Sequence, residues 1–332
     1  MKKRILSLFL TICLLPGIIT TFPIVVSAAA SGKCGDNLTW TLDSNGTLTI
    51  SGTGSMYGYK SPDWGGSNPA PWYDCKVKNV VIERGVTSIG KEAFGKCSYL
   101  TSITISDSVT SIGYCAFYKC TSLLSVTIPD SVTSIDKSAF LCCSALSDVV
   151  ISSSITSISE SMFNQCSSLT SITIPDSVTS IGERAFYGCT SLSNVIIPDS
   201  VTKIGIRAFG ECSSLKKIII PKSVTGLSAC TFSSSGLTSI AIPKSVTWID
   251  HNVFSYCNLT DIYYAGSATN WAGIKILSSN TYHLKNVKIH YNCTISGNNS
   301  STKSDFAQIF YKGNTYNLLT QPISIDKDSS AE

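Results

Sequence analysis

Phenylalanine stands at positions 94, 117, 140, 163, 186, 209 and 232, each 23 residues after the last, and again at 254 after 22. One copy of such a unit cannot bury its own apolar side chains, so a period of this length commits the chain to stacked repeats that share a continuous core. The copy from 169 to 190 shows the pattern. Apolar residues fall at Leu169, Ile172, Ile174, Val178, Ile181, Ala185 and Phe186, and Cys189 closes the unit. Side chains alternate across an extended strand, so Ile172 and Ile174 point inward while Ser171 and Thr173 point outward.

Pro175-Asp176 ends that strand, since proline fixes φ and has no amide proton to give a ladder. Pro129, Pro198, Pro221 and Pro243 repeat the device, whereas Glu83, Ser106 and Ser152 replace it in other copies. Val178 and Ile181 begin the return path, Gly182 lets the chain bend, and "ERAFYGC" is long enough for one helical turn at most. The opening L-x-x-I-x-I is the strand signature of leucine-rich repeats. A 23-residue unit has no room for a strand plus a full helix. The expected fold is therefore a leucine-rich-repeat solenoid, mainly β, with one long parallel sheet, short strands and 3₁₀ turns on the outer face, and caps at both ends. Ten strands, from 80–82 to 287–289, would span roughly 45 Å at about 4.8 Å per strand. Each large side chain buried between rungs contributes about 1.5–3 kcal/mol.

Cys97, Cys120, Cys143, Cys166, Cys189, Cys212 and Cys257 occupy one column, with Ser235 in the missing place. Adjacent rungs bring Cα atoms within bridging distance, but a ladder of seven cannot pair completely. The expectation is a small apolar side chain filling a tight inward position. Zinc needs four ligands converging on a point, and thiols along a line do not supply them. Cys115 and Cys230 share an outer column five rungs apart. Cys34 and Cys75, both near the N-terminal end, are the one pair worth testing for a disulfide.

The ends read differently from the repeats. Lys2, Lys3 and Arg4 precede an apolar run broken by Pro16-Gly17, and Ala28-x-Ala30 fits a small-residue cleavage site. Residues 1–30 are expected to be a signal peptide, with an uncleaved anchor helix as the alternative. Its removal takes three of 25 basic residues and none of 21 acidic ones, which leaves a near-neutral chain of thirteen cysteines. That balance gives no reason to expect nucleic acid as a partner or membrane insertion after signal removal. Residues 31–76 form the N-terminal cap and loop, with "LTWTLDSNGTLTI" reading as a β-hairpin whose Trp40, Leu42, Leu48 and Ile50 close the first rung. Trp64 and Trp72 lie in the following connection. Residues 77–291 make the solenoid with a C-terminal cap, where Ser267 caps a short helix presenting Trp271 and Ile274. Residues 292–332 are a polar linker and tail, which is either frayed or the start of a further module.

No catalytic constellation emerges. His251, His283 and His290 gather toward the C-terminal end without metal-ligand spacing, and His290 is expected to face outward from the last strand. Asp148 and Asp261 both face out from the sheet, but five rungs, roughly 24 Å, separate them, too far for paired-carboxylate chemistry. No enzyme activity, cofactor or metal is expected. The exposed sheet offers instead two outward columns. The N-terminal half is mostly hydroxyl-bearing, and the C-terminal half turns apolar and charged. Asp148, Val150, Asn194, Ile196, Lys217, Ile219, Asp261 and Tyr263 are the candidate ligand-binding face, with Ile196, Ile219 and Tyr263 as outward apolar area rimmed by charge.

The units "SITIPDSVTSIGERAFYGC" closely resemble BspA-like leucine-rich repeats, also called the Treponema pallidum type, over about residues 77–291. Asp136 and Ser159 depart from the turn glycine, Met162 from the alanine and Ser235 from the cysteine. "CGDNLTWTLDSNGTLTISGTGSM" and "YYAGSATNW" resemble segments flanking such repeats in exported proteins of gut Firmicutes. The resemblance implies a secreted or cell-surface bacterial protein associated with adhesion. The expected function is a non-catalytic exported module recognising an extracellular protein or glycan through the sheet face. The alternatives are a structural cell-envelope solenoid and a targeting arm of a larger enzyme.

Overall fold

The computed structural model describes residues 28–62, 65–73, 75–295, 308–311 and 314–317. The expected signal segment as far as residue 27, Trp64, and most of the 292–332 tail lie outside the described residues. Across the repeats, each turn of the coil contributes two short strands. The first set runs Asn79–Ile82, Ser102–Ile105, Ser125–Thr127, Asp148–Val150, Ser171–Thr173, Asn194–Ile196, Lys217–Ile219, Ser239–Ile242, Asp261–Tyr264 and Lys288–His290. All are parallel where they pair, and Val126, Val149, Ile172, Val195, Ile218, Ile240 and Ile262 point inward and are buried. The expected single ladder is divided into hydrogen-bonded groups, with flanking bonds such as Leu124 N–H to Thr101 O (3.2 Å) carrying it across a division.

The last rung departs from expectation in register. Asp261 pairs with Lys288 and Tyr263 with His290, two residues beyond the expected alignment of 287–289 with 262–264. The cause is an insertion: α1 (Ala268–Ala272) and α2 (Ser278–Leu284) occupy the connection, so the 23-residue count no longer applies there.

The return strands are minimal, as at Ser111–Ile112, Ser134–Ile135, Ser180–Ile181 and Lys203–Ile204. Beyond each, the chain turns without forming a helix. Amide groups alternate in direction: Ala116, Tyr118 and Cys120 donate back three residues, while Cys115, Phe117 and Lys119 donate to Lys137, Ala139 and Leu141 of the next rung. Each of these six backbone donors thus has a partner, as buried turns require. The alternation needs two left-handed residues per turn, such as Cys115 and Lys119 or Ser161 and Gln165, and only Gly188 meets that need with glycine. Gly182 is not among the positive-φ residues. It serves close approach instead of a bend, because a Cβ there would lie 2.6 Å from Glu160 N of the neighbouring rung.

Down the centre runs an aromatic column. Phe94 through Phe254 stack face to face, with centroids 5.1 to 6.3 Å apart and planes within 14° of parallel. Trp72 extends it one place toward the N-terminus, 5.7 Å from Phe94, and donates its indole N–H to Ala93 O at 2.8 Å. The cysteine column lies alongside. Cys120, Cys143, Cys166, Cys189 and Cys212 are fully buried, and each thiol donates to the phenylalanine carbonyl of the preceding rung at 3.1–3.3 Å. All thirteen described cysteines are free. Cys34 and Cys75 do not bridge: Cys34 O accepts from Tyr57 N at 2.7 Å, and Cys75 neighbours Cys97.

At the N-terminal end, β2 (Leu38–Asp43) and β3 (Thr47–Gly52) form the expected hairpin, with Gly46 at φ +89 in its turn and Asp43 Oδ1 accepting from Asn45 and Thr47 N–H. Its second strand pairs in parallel with Asn79–Ile82, which converts a hairpin edge into the first rung. An additional strand, β1 (Ala28–Lys33), pairs with β2 and straddles the expected cleavage position. At the other end, Ser267 and Asn270 complete a capping box on α1. α2 then closes the open rung. Ser279 Oγ accepts from Asn252 N–H at 3.0 Å, and the fully buried Asn280 accepts from Val253 N–H at 2.9 Å and donates to Leu277 O at 3.3 Å and to Asp250 O. Ser279 thus replaces the acceptor that a further rung would supply to Asn252, and Asn280 inserts between Val253 N–H and Asp250 O, groups whose counterparts bond directly in earlier rungs, as Ala116 N–H does to Gly113 O.

Candidate interaction face

The regular pleat aims two columns away from the core, and the structure divides them into an open stretch and a covered one. Ser102, Thr104, Ser125, Thr127, Asp148, Val150, Ser171 and Thr173 are exposed. Asn194, Ile196 and Lys217 are half-buried. Burial lowers the pKa of the Lys217 ammonium, the cost of desolvating a charge.

Beyond Lys217 the expectation of an exposed apolar half fails. Ile219 is only 7% exposed and Tyr263 2% exposed. Tyr263 is covered by His290, whose ring lies 4.7 Å away and within 10° of parallel. His290 Nε2 also meets Asp261 Oδ1 at 2.8 Å, so Asp261, Tyr263 and His290 form one interlocked group at the last two rungs. His290, expected outside, is therefore buried. The two-residue register shift puts it opposite Tyr263 in place of Lys288. Ala241, opposite both Ile219 and Tyr263, is too small to stand above them and is fully buried. Ile219 borders a cavity of about 310 Å³ that also meets Pro221, Pro243, Ala265 and Ile295, where the chain returns past the solenoid's edge.

The eight candidate residues are thus not one surface. Asp148 and Val150 stand on the open stretch, Asn194, Ile196 and Lys217 on its margin, and Ile219, Asp261 and Tyr263 in the closed end. Sequence reasoning missed Leu124, which is 55% exposed on the rung before that of Val150, itself 52% exposed. Leu124 O accepts from Ser147 N and Asp148 N, so the leucine adjoins the rung that carries Asp148 and Val150. Serine or threonine fills most of its column (Thr101, Ser147, Thr170, Ser193), and leucine among hydroxyls was the available signal.

Much of the hydroxyl content is structural. Ser131, Ser200 and Ser245 donate to valine carbonyls one rung back at 2.7 Å, and Thr101, Ser147, Ser193, Thr238 and Thr260 make equivalent bonds at the face's flank. Among the described residues, no group of three or more His, Cys, Asp or Glu side chains could hold a metal ion, and no helix is long and apolar enough to cross a membrane.

Stacked strand-and-turn units of this length define a leucine-rich-repeat protein. The model of the BspA type leucine rich repeat region matches in six copies over residues 69–192 and 158–273, more than half the chain, and the chain belongs to that family. A leucine-rich repeat protein from Bacteroides ovatus is similar in structure, at 25% identity and a TM-score of 0.50, covering 77% of each chain. The Treponema pallidum leucine-rich repeat protein is 28% identical over 54% of this chain and 87% of its own, at a TM-score of 0.43. A leucine rich cell surface protein from Faecalibacterium prausnitzii is 24% identical over 75% of this chain and 98% of its own, at 0.29. No curated protein matches. The family consists of repeat proteins that are generally non-catalytic, and the fold is suited to protein interaction.

Proposed function

We propose that the chain is an exported, surface-exposed interaction module that holds an extracellular protein or glycan on the open stretch of its sheet face, in the broad sense an adhesin. The observation that carries this reading is the exposure of Val150 on the rung of Asp148, in a face otherwise lined by hydroxyls, and of Leu124 at the flank of the preceding rung. Exposed apolar side chains near a carboxylate offer a partner both apolar area to cover and a charge for an opposed cation or hydroxyl. Export rests on the basic, apolar, Ala-x-Ala pattern of the first thirty residues. Catalysis has no supporting feature here.

The test is binding of residues 31–332 to immobilised matrix proteins, mucins and glycans, beside a variant carrying Leu124→Glu and Val150→Glu. Loss of a hit in the variant supports the reading, and a hit of equal strength in both removes the open face as its site.

A further inference from the structure

The return face carries a second anomaly. Its outward column reads Ser88, Ser111, Ser134, Ser157 and Ser180, then Lys203, Gly226 and Trp248. Gly226 and Trp248 are register partners on adjacent strands, and Lys275 is the next partner beyond Trp248. The indole does not project straight outward. A Cβ on Gly226 would lie 1.9 Å from Trp248 Cε2 and 2.3 Å from Cδ2 and Nε1, so the ring lies over the glycine backbone where every earlier rung has a side chain. Gly226 is not among the positive-φ glycines, so its conformation does not call for glycine. Glycine and tryptophan depart from the repeat together, and the first makes the seat for the second.

With one side resting on Gly226, Trp248 is still 38% exposed. It forms a wall of a cavity of about 300 Å³ completed by Ile249, Asp250, Lys275 and Leu277. The cavity lies at the small end of the range for ligand sites, and it joins one flat aromatic surface to a few polar groups at its rim. Asp250 is partly exposed and held in place, its Oδ1 meeting His251 N at 2.7 Å and His251 Nδ1 at 2.6 Å, while Lys275 is exposed.

We propose that Trp248 is a stacking platform for a single pyranose ring of a glycan, with Asp250 and Lys275 receiving its hydroxyls. A pyranose presents C–H groups on one face and hydroxyls around its edge. An indole with a free face offers the electron-rich surface that such C–H groups pack on, and it pays little conformational entropy because its own ring is already seated. One indole is too small an apolar area for a protein interface core, whereas it matches one sugar ring. The site lies on the return face, distinct from Leu124 and Val150, and does not depend on the function proposed for the sheet.

Saturation-transfer NMR on residues 31–332 with the methyl glycosides of glucose, galactose, mannose, N-acetylglucosamine and glucuronic acid tests the platform. At least one probe is expected to receive saturation, strongest at its ring C–H protons. Trp248→Ala should weaken that binding about tenfold or more. Gly226→Ser, which keeps the tryptophan but fills its seat, should do likewise, with circular dichroism melts confirming that both variants fold. Ser134→Ala, in the same column five rungs earlier, should leave it unchanged. Saturation of no probe, saturation equal in wild type and Trp248→Ala, or binding only of N-acetylphenylalanine amide as an aromatic peptide mimic would each overturn the proposal.

Discussion

The thiol of Cys189 donates to the carbonyl oxygen of Phe163 one rung earlier, at 3.1 Å, and the same bond joins Cys212 to Phe186 and Cys257 to Phe232. The repeated cysteine is therefore both a small core residue and a weak cross-rung donor. Phe163 O also accepts from Cys166 N at 3.1 Å, so losing the thiol does not orphan it. Cys189→Ser should keep a donor, in a column that already holds Ser235 with its hydroxyl 3.3 Å from Cys257 Sγ, and Cys189→Ala should destabilise by about 1 kcal/mol through lost bond and packing. Urea unfolding of the two variants measures the difference.

Burial pushes the thiols of Cys97 and Cys189 up to about 12. An unfolded chain releases those protons near pH 8.5, while the folded chain keeps them. Unfolding then releases protons, so stability is complete below about pH 8.5 and falls from there to about pH 12, by up to about 1.4 kcal/mol per pH unit for each thiol. Melting temperatures measured from neutral to about pH 10.5 should decline, and Cys97→Ala with Cys189→Ala should flatten the decline. Parallel curves for the two proteins would show that the thiols do not drive it.

Phe186 sits between Phe163 and Phe209 at 5.7 and 5.3 Å, fully buried. Phe186→Ala should cost about 3–5 kcal/mol, since neighbouring rungs cannot collapse into the gap without breaking their strand register. Hydrogen exchange should show lost protection centred on the rungs of Phe163, Phe186 and Phe209, with less change at the caps.

Asn280→Leu should open the C-terminal end. Val253 N–H and Asp250 O lose their partner, at about 1–3 kcal/mol for each buried group left unpaired. Exchange of the Val253 amide should accelerate before global unfolding begins.

The period of phenylalanine made the solenoid and its strands legible, because a side chain recurring every 23 residues marks units that stack on a shared core. The thiol bonds were not legible, since the Sγ–H direction depends on the alternating backbone of the turn. The final rung was misaligned because α1 and α2 lengthen one connection without a repeated residue to mark it. Ile219 and Tyr263 show the main limit of the alternation rule. It fixes the direction a side chain leaves the strand but not what lies over it, and His290 covers Tyr263 only because of that shifted register. Trp248 stood in plain view in the serine column, yet its meaning needed Gly226 beside it in space.

The same distinction separates two substitutions on one face. Ile219→Glu would bury a charge and should lower the melting temperature sharply, whereas Val150→Glu should change stability by no more than about 0.5 kcal/mol. Equal effects in thermal unfolding would mean that the closed and open stretches are not different environments.

The most direct measurement is equilibrium binding of residues 31–332 to its best ligand from matrix proteins, mucins and glycans, repeated with the Leu124→Glu, Val150→Glu variant after its fold is verified. An interaction module acting through the open sheet face predicts a saturable wild-type isotherm and at least a tenfold or so weaker one for the variant. Identical isotherms, or no ligand for the folded wild type, would contradict it.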